Sequence, residues 1–256
     1  MVIKKSKYRH SFILENIEKE KSISIADLSK QLNTSEATIR RDLKEISKNG
    51  WTGRVCGGVV LSGSIFSYES RISRNIEEKE RIAKKAIEYI SSGDILMLDI
   101  GTTNLELVRM LKQDSELKDI TIITNGLDIA LELEDAKEVK VIVIGGILRK
   151  GNHCTGNKTS DFIRQSFHVK KVFIGAAGLT AKAGVTKFDM ESAEDSYAMA
   201  SAAEKKFVLC DYSKIGVTAF ITSISIEDID VLITDDKADK NNLIEIAKEG
   251  VEVIVV

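Results

Sequence analysis

The stretch SEATIRRDLKEIS, residues 35–47, decides the fold of the N-terminal part of the chain. Ile39, Leu43 and Ile46 recur at i, i+4 and i+7, the spacing of one buried helical face. Ser35 lies where its hydroxyl can cap this helix. The other faces carry polar and charged side chains: Glu36, Thr38, Arg40, Arg41 and Lys44. The pattern predicts a helix with an apolar inner face and a basic outer face.

The residues on either side complete a helix-turn-helix pattern. Residues 25–32, IADLSKQL, predict a shorter preceding helix that begins at an N-cap residue, Ser24. Its inward-facing residues are expected to be Ala26, Leu28 and Leu32. Farther on, WTGRV and VVL are two β-prone runs joined through Cys56, Gly57 and Gly58, which predicts the hairpin of a winged helix. This order is typical of a DNA-binding domain.

The charge distribution agrees with a DNA-binding end. Residues 1–60 hold 12 Lys and Arg against 7 Asp and Glu, whereas residues 61–256 hold 25 against 32. A small basic segment on a larger acidic body favours a nucleic-acid-binding arm attached to a second domain. We therefore predict a DNA-binding domain over 1–60, a linker over 61–75 and a second domain over 76–256.

Cysteine and histidine usage argues against several other classes. The three cysteines form no CxxC pair and the three histidines are scattered, which favours neither a disulfide framework nor a metal site. We expect no metal, no cofactor and a reduced, cytoplasmic location. No apolar run approaches the ~18 residues that span a bilayer, so no membrane partner is expected.

TIRRDLKEIS followed by GRVCGGVV resembles the DNA-binding domain of DeoR-type bacterial repressors. That family usually shows S-x-x-T-I-R-R-D-L and then R-x-H-G-G. The matching residues are Ser35, Thr38, Ile39, Arg40, Arg41, Asp42, Leu43, Arg54, Gly57 and Gly58. The resemblance implies contacts to operator DNA from this region. We expect Lys44 and Arg54 to contact the DNA backbone. Cys56 stands where the family has His, and a thiol is a weaker hydrogen-bond donor than imidazole.

The remaining residues alternate between β-like and helical runs. The predicted strands are 95–100, 121–124, 139–144, 171–176, 206–210, 230–234 and 251–256. The predicted helices are 77–90, 103–112, 126–134, 158–167, 189–204 and 240–248. Unbroken apolar strands are typical of a parallel sheet covered on both faces, so the fold class is α/β with a mostly parallel sheet.

Candidate ligand-binding residues follow the predicted strands, where such sheets bind ligands. Asp99, Gly101, Thr102 and Thr103 come before a helix and suit an anion such as phosphate, although the same residues make an ordinary capped turn. Three further candidates have structural alternatives. Thr124 with Asn125 resembles a helix cap, Gly145 with Gly146 resembles a turn, and Lys214 could be a surface cation near Asp211.

The DeoR resemblance also covers this half through DIGTTNLELV, TIITNGLDIA, VIGGILRKG and CDYSKIG, in order. It implies a sensor domain similar in fold to ribose-phosphate isomerases and aminosugar-phosphate deaminases. It also implies a phosphorylated sugar or polyol as effector. Ser196 and Tyr197 depart from the family, which often has Lys and Arg there, so another cation or a different ligand is implied.

Two function classes follow. The first is a repressor of a sugar or polyol catabolic operon, released from double-stranded operator DNA by a phosphorylated sugar intermediate. The second is a sugar-phosphate isomerase or aminosugar-phosphate deaminase with an accessory domain, for which Asp99 and Asp189 are the available carboxylates. Because one helix-turn-helix reads a short half-site, we also expect a homodimer or homotetramer. The sequence does not assign the sign of regulation, the effector or the operator.

Overall fold

The computed structural model describes residues 8–10, 12–13, 16, 22–48, 53–55, 58–60, 68–156 and 160–256. The chain divides into two compact units, Met1–Ser67 and Tyr68–Val256. Part of the segment expected as a linker, Tyr68–Ile72, is a helix of the second unit. The domain bounds drawn from the sequence remain predictions.

The first unit is a winged helix-turn-helix. Its elements are β1 (Ser22–Ser24), α1 (Ile25–Gln31), α2 (Glu36–Lys48), β2 (Gly53–Val55) and β3 (Gly58–Val60). The strands form an antiparallel sheet in the order β1-β3-β2. The hairpin β2-β3 was predicted, but β1 was not. Its three residues form a strand because they pair with β3 of the hairpin, a contact remote in sequence.

The buried faces of α1 and α2 meet as their spacing predicts. Leu28, Ile39 and Leu43 are all buried. The inward position expected for Ala26 is wrong: Ala26 is exposed, and Ile25 is buried in its place. Ser24 caps α1 by accepting a hydrogen bond from the Asp27 amide at 3.0 Å.

The second unit is built on a seven-stranded sheet. Its strands are β4 (Ile95–Leu98), β5 (Ile120–Thr124), β6 (Val139–Val143), β9 (Val169–Gly175), β12 (Ala203–Leu209), β14 (Val231–Thr234) and β15 (Glu252–Val255). Its helices are α3 (Tyr68–Ile72), α4 (Ile76–Ile87), α5 (Thr102–Gln113), α6 (Leu127–Glu132), α7 (Ser160–Ser166), α8 (Met190–Ser201) and α9 (Lys240–Lys248). All strand pairs are parallel, in the order β15-β14-β12-β9-β4-β5-β6.

Both faces of this sheet are covered, as the unbroken apolar strands predict. Phe173 on β9 and Phe207 on β12 stack with ring centroids 4.9 Å apart, within the core that α4 and α5 cover. Val172 and Val208, their neighbours in sequence, lie in the core on the opposite face, which α8 and α9 cover. Alternate residues of one strand therefore fill two cores.

Five short strands of this unit were not predicted: β7 (Ile147–Arg149), β8 (Cys154–Gly156), β10 (Gly178–Thr180), β11 (Gly184–Lys187) and β13 (Ile221–Ile224). They form two small antiparallel sheets, β7-β8 and β10-β11-β13. The main sheet reverses its winding between β4 and β9. In open α/β sheets this reversal creates the crevice that holds ligands.

Candidate effector and DNA-binding sites

The second helix of the helix-turn-helix presents the predicted polar face. Ser35 caps α2, since its Oγ accepts a hydrogen bond from the Thr38 amide at 3.2 Å. Arg40 and Arg41 are exposed, and Arg40 lies 3.2 Å from the exposed Glu36 in an i,i+4 pair. Two arginines and a hydroxyl-capped helix start are therefore available to a nucleic acid.

The buried face of α2 also contains one charged residue. The carboxylate of Asp42 is bound by the Arg9 guanidinium, with Oδ2 at 2.6 Å from Nε and Oδ1 at 3.0 Å from a terminal nitrogen. Burial acts to raise the pKa of Asp42, but the contacts with Arg9 and His10 outweigh it and hold this pKa below its usual value. The bidentate pair fixes α2 against the N-terminal helical residues.

The remaining predicted DNA-binding residues are placed by backbone only. Lys44 lies in α2, Arg54 in β2 and Gly58 in β3. Gly57 and Cys56 lie outside the described residues.

In the second unit, Asp99 directly follows β4 at the crevice and is bound by two side chains from other elements. The Lys187 ammonium, at the end of β11, lies 2.6 Å from Asp99 Oδ2 and also donates to the Gly175 carbonyl at 2.6 Å. Ser196 Oγ on α8 donates to the same carboxylate oxygen at 2.8 Å. All three side chains are buried, so this is an ion pair removed from water.

Helix α5 begins directly beside this ion pair. Gly101 is its N-cap residue, no side chain caps its first amides, and its first turn contains no acidic residue. The Asn104 side chain joins the ends of β4 and β9 by donating to the carbonyls of Asp99 at 2.8 Å and Phe173 at 3.0 Å. Thr103 is buried and Thr102 is partly exposed. The first amides of α5 thus carry no side-chain cap, and the helix dipole places partial positive charge there.

Lys214 is not a solvated surface residue. It ends a short 3₁₀ helix after β12, beside Asp211. Burial lowers the pKa of Lys214, Asp211 opposes that effect, and the nearby Arg71 and Arg74 add to it. Lys214 is therefore a partly buried cation that lies close to other cationic side chains.

A second lysine, which is buried, lies close to Lys214. Lys79, in the first turns of α4, is 3% exposed and donates to the carbonyls of Arg71 and Ile72. Burial lowers its pKa to about 8, with Asp211 acting in the opposite direction. Asp211 is also held by Asn75 Nδ2 at 2.9 Å and by the Ser213 amide at 3.0 Å. The ammonium groups of Lys79 and Lys214 thus both lie close to Asp211, and Lys79 also lies close to Glu106.

The other predicted strand-end residues have mainly structural contacts. Thr124 Oγ1 accepts from the Gly126 amide at 3.0 Å, which is the turn-capping alternative. Asn125 is buried, donates to the Thr155 carbonyl at 3.3 Å and leaves its Oδ1 without a donor among the described residues. Gly146 has φ +143°, and a Cβ there would lie 2.7 Å from the Gly156 carbonyl oxygen. Gly145 is exposed beside it.

Three of the residues described above were not predicted: Lys79, Asn104 and Lys187. Lys187 lies in GVTKFD, which reads as a loop unless β11 is recognised. Lys79 is one charge in the run EEKERIAKK, whose amphipathic pattern predicts a solvated face. A short motif does not reveal which of several lysines becomes buried.

No helix among the described residues is long and apolar enough to cross a membrane. Within the same part of the chain, no three His, Cys, Asp or Glu side chains are grouped so that they could hold a metal ion. His153 instead lies 2.9 Å from Asp128 and packs against the ring of Tyr68.

Comparisons with known proteins identify both units. Residues 9–64 match the DeoR-like helix-turn-helix domain, and residues 74–236 match the DeoR C terminal sensor domain. The HTH-type transcriptional regulator GolR of Listeria innocua is 34% identical over 235 residues, 91% of each chain. The glycerol-3-phosphate regulon repressor of Escherichia coli K12 is 32% identical over 234 residues, 90% of this chain and 91% of that protein.

Solved structures are similar to part of the chain at lower identity. A D-ribose-5-phosphate isomerase in complex with phospho-erythronic acid is 16% identical, with a TM-score of 0.42 over 54% of this chain and 53% of that one. Ribose 5-phosphate isomerase A of Methanocaldococcus jannaschii is 16% identical, with a TM-score of 0.40 over 55% and 54%. The two family matches and the relatives, which are named regulators rather than enzymes, make the assignment. The chain belongs to the DeoR family of DNA-binding transcriptional regulators.

Proposed function

We propose that this protein is a repressor whose second unit binds a small phosphorylated sugar or polyol and then releases operator DNA. The observation that carries the proposal is the pair of neighbouring ammonium groups on buried Lys79 and partly buried Lys214, which both lie close to Asp211. A buried excess of positive charge is costly unless an anion compensates it. A phosphate group supplies that anion.

The start of α5 supplies the second half of a phosphate site. Helices α4 and α5 pack together, and Lys79 on α4 lies within electrostatic reach of Glu106, one turn into α5. Uncapped amides at a helix start bind phosphate readily, and the hydroxyls of Thr102 and Thr103 add donors there. The name of the E. coli relative, a glycerol-3-phosphate regulon repressor, agrees with a ligand of this class.

We propose that the predicted strand-end residues line the effector site. Those that border the crevice or follow its neighbouring strands are Asp99, Gly101, Thr102, Thr103, Thr124, Asn125, Gly145, Gly146 and Lys214. We add Lys79. Cys154 and Cys210 are buried and unpaired, which fits a reduced cytoplasmic location.

Thermal-shift measurements of the full chain against a panel of phosphorylated sugars and polyols test this function. A ligand that binds only the folded state raises the unfolding temperature with its concentration. The same compound must release the protein from a DNA fragment that the protein has selected from a random-sequence pool. The unphosphorylated parent sugars serve as controls. Stabilisation by the parents as strong as by their phosphates would contradict a phosphate site.

For DNA we propose contacts from the outer face of α2 and from the hairpin: Ser35, Glu36, Thr38, Arg40, Arg41, Lys44, Arg54, Gly57 and Gly58. Arg40→Ala or Arg41→Ala is expected to weaken binding of the selected fragment by about 1–3 kcal/mol where a base contact is lost. Where a phosphate contact is lost, the slope of log affinity against log salt should fall by about one.

Gel-shift titrations at several salt concentrations distinguish these two cases. Lys240→Ala is a matched control, because Lys240 is an exposed cation at the start of α9 in the second unit. Unchanged affinity and unchanged salt slope in both arginine variants would remove α2 from the DNA interface.

We also propose that the chain assembles as a homodimer or homotetramer. Helices α7 and α8 pack together and expose three large apolar side chains: Phe162, Met190 and Tyr197. Apolar surface of this kind marks interaction sites, and paired half-sites require paired DNA-binding units. Light scattering of the full chain tests the assembly, and a monomer at micromolar concentration would contradict it.

A further inference from the structure

Residues 68–75, called the strap below, are the part of the second unit that the chain reaches first. The first unit ends at Ser67, and the strap consists of α3 and the turn that leads into α4. A change in the conformation of the strap therefore acts on the point where the chain leaves for the helix-turn-helix. The contacts that hold the strap in the second unit thus bear on how an effector controls DNA binding.

The two ends of the strap are bound on opposite sides of the crevice. At one end the buried Tyr68 hydroxyl donates to Asp128, in the first turn of α6 after β5, and the Tyr68 ring lies 4.8 Å from that of His153. At the other end Asn75 Nδ2 donates to Asp211 Oδ1, after β12, at 2.9 Å. Since the strands lie in the order β12-β9-β4-β5, the strap spans the β9-β4 pair that forms the crevice.

Between these ends, the strap is held by a residue of the proposed phosphate site. Lys79 Nζ donates to the carbonyls of Arg71 and Ile72, the last two residues of α3. A helix of five residues is not stable by itself, so α3 depends on such contacts. Asn75 has φ +50° and leaves the start of α4 without a side-chain cap, because its amide group is bound to Asp211 instead. Lys79 and Asp211 therefore set the conformation of the strap.

We propose that bound phosphate loosens the strap, and that this change lowers the affinity of the protein for operator DNA. The inference rests on the phosphate site proposed above. A phosphate close to Lys79 and Lys214 takes over the charge compensation that Asp211 provides and repels its carboxylate, which weakens the hydrogen bond from Asn75. Lys79 then donates to the phosphate in preference to the neutral carbonyl oxygens of α3, because hydrogen bonds between two charged groups are stronger.

Hydrogen-exchange mass spectrometry of the full chain tests the loosening. The probes are inorganic phosphate and the phosphorylated sugar that gives the largest thermal shift, with its unphosphorylated parent as the control. Each phosphate compound should slow exchange at residues 101–104 and speed exchange at residues 68–75 by about threefold or more. Slower or unchanged exchange in the strap, with residues 101–104 protected, overturns this proposal and leaves the phosphate site standing. If no phosphorylated compound protects residues 101–104, both proposals fail.

Tyr68→Phe tests the strap at the end that lies away from the lysines. It removes the hydroxyl bound to Asp128 and keeps the ring, so part of the cost of loosening is removed before the effector binds. The same phosphorylated sugar should therefore bind about threefold or more tightly and release the selected DNA fragment at a lower concentration. Tyr89→Phe, which removes a hydroxyl near the far end of α4, is the matched control and should change neither. Unchanged or weaker binding of the sugar phosphate to Tyr68→Phe overturns the proposal.

Discussion

Replacing Lys187 with alanine is expected to lower the free energy of unfolding of the second unit by about 3–5 kcal/mol. The ammonium group lies 2.6 Å from Asp99 Oδ2, and both side chains are almost entirely buried. Its removal leaves a buried carboxylate whose remaining side-chain partner, within the described part of the chain, is Ser196. In a unit of this size the loss should lower the unfolding temperature by roughly 10 °C, as measured by calorimetry of the full chain without ligand.

Two further variants separate the ion pair from a general loss of packing. Lys248→Ala removes a cation from an exposed pair with Glu245 and should change stability by less than about 1 kcal/mol. The double variant Lys187→Met with Asp99→Asn removes both charges and should recover most of the loss, since replacing a buried pair by neutral groups costs little. A double variant as unstable as Lys187→Ala would show that the ion pair is not the cause.

The main sheet was predictable because its residues are apolar over whole strands. All seven predicted strands occur, with ends shifted by a few residues. Successive residues such as Leu96–Leu98 are all buried, so both faces of the strand have to be apolar. The helices also follow their patterns; α9 has the predicted bounds, Lys240–Lys248. The spacing of apolar residues indicates which positions are buried, and burial determines where these strands and helices form.

The short strands and the polar centre of the crevice were not predictable in the same way. The residues of β11 show no alternation of apolar and polar side chains that would distinguish this strand from a loop. The strand forms because β10 and β13 pair with it. Lys187 reaches Asp99 only through that pairing, from a position 88 residues away in sequence. The family pattern, by contrast, drew attention to Ser196, whose departure from lysine coincides with a lysine supplied by β11.

The second large effect is expected in effector sensing. Lys214→Ala should weaken binding of the sugar-phosphate effector by tenfold to a hundredfold, because a charge-assisted contact to phosphate contributes about 1.5–3 kcal/mol. Thr102→Val removes one hydroxyl donor at the start of α5, keeps a similar shape and should have a smaller effect in the same direction. Both residues belong to the second unit, so affinity for operator DNA without ligand should stay unchanged.

These variants should act in cells as non-inducible repressors. An effector releases DNA only through its different affinities for the two states of the protein. A protein that binds the effector poorly therefore remains on its operator at concentrations that release the wild type. The arginine variants of α2 should show the opposite phenotype, constitutive derepression, because they fail at the DNA itself. A reporter gene behind the selected operator distinguishes the two.

Operator titration of each variant with and without the ligand found by thermal shift decides the assignment. Asp211→Asn is the control for Lys214→Ala, because it removes the negative charge near Lys79 and Lys214 but leaves both ammonium groups in place. If Lys214→Ala derepresses and Asp211→Asn does the same, the lysine supports the fold through its pairing with Asp211. If Lys214→Ala and Thr102→Val both release DNA at the wild-type ligand concentration, neither residue holds the phosphate.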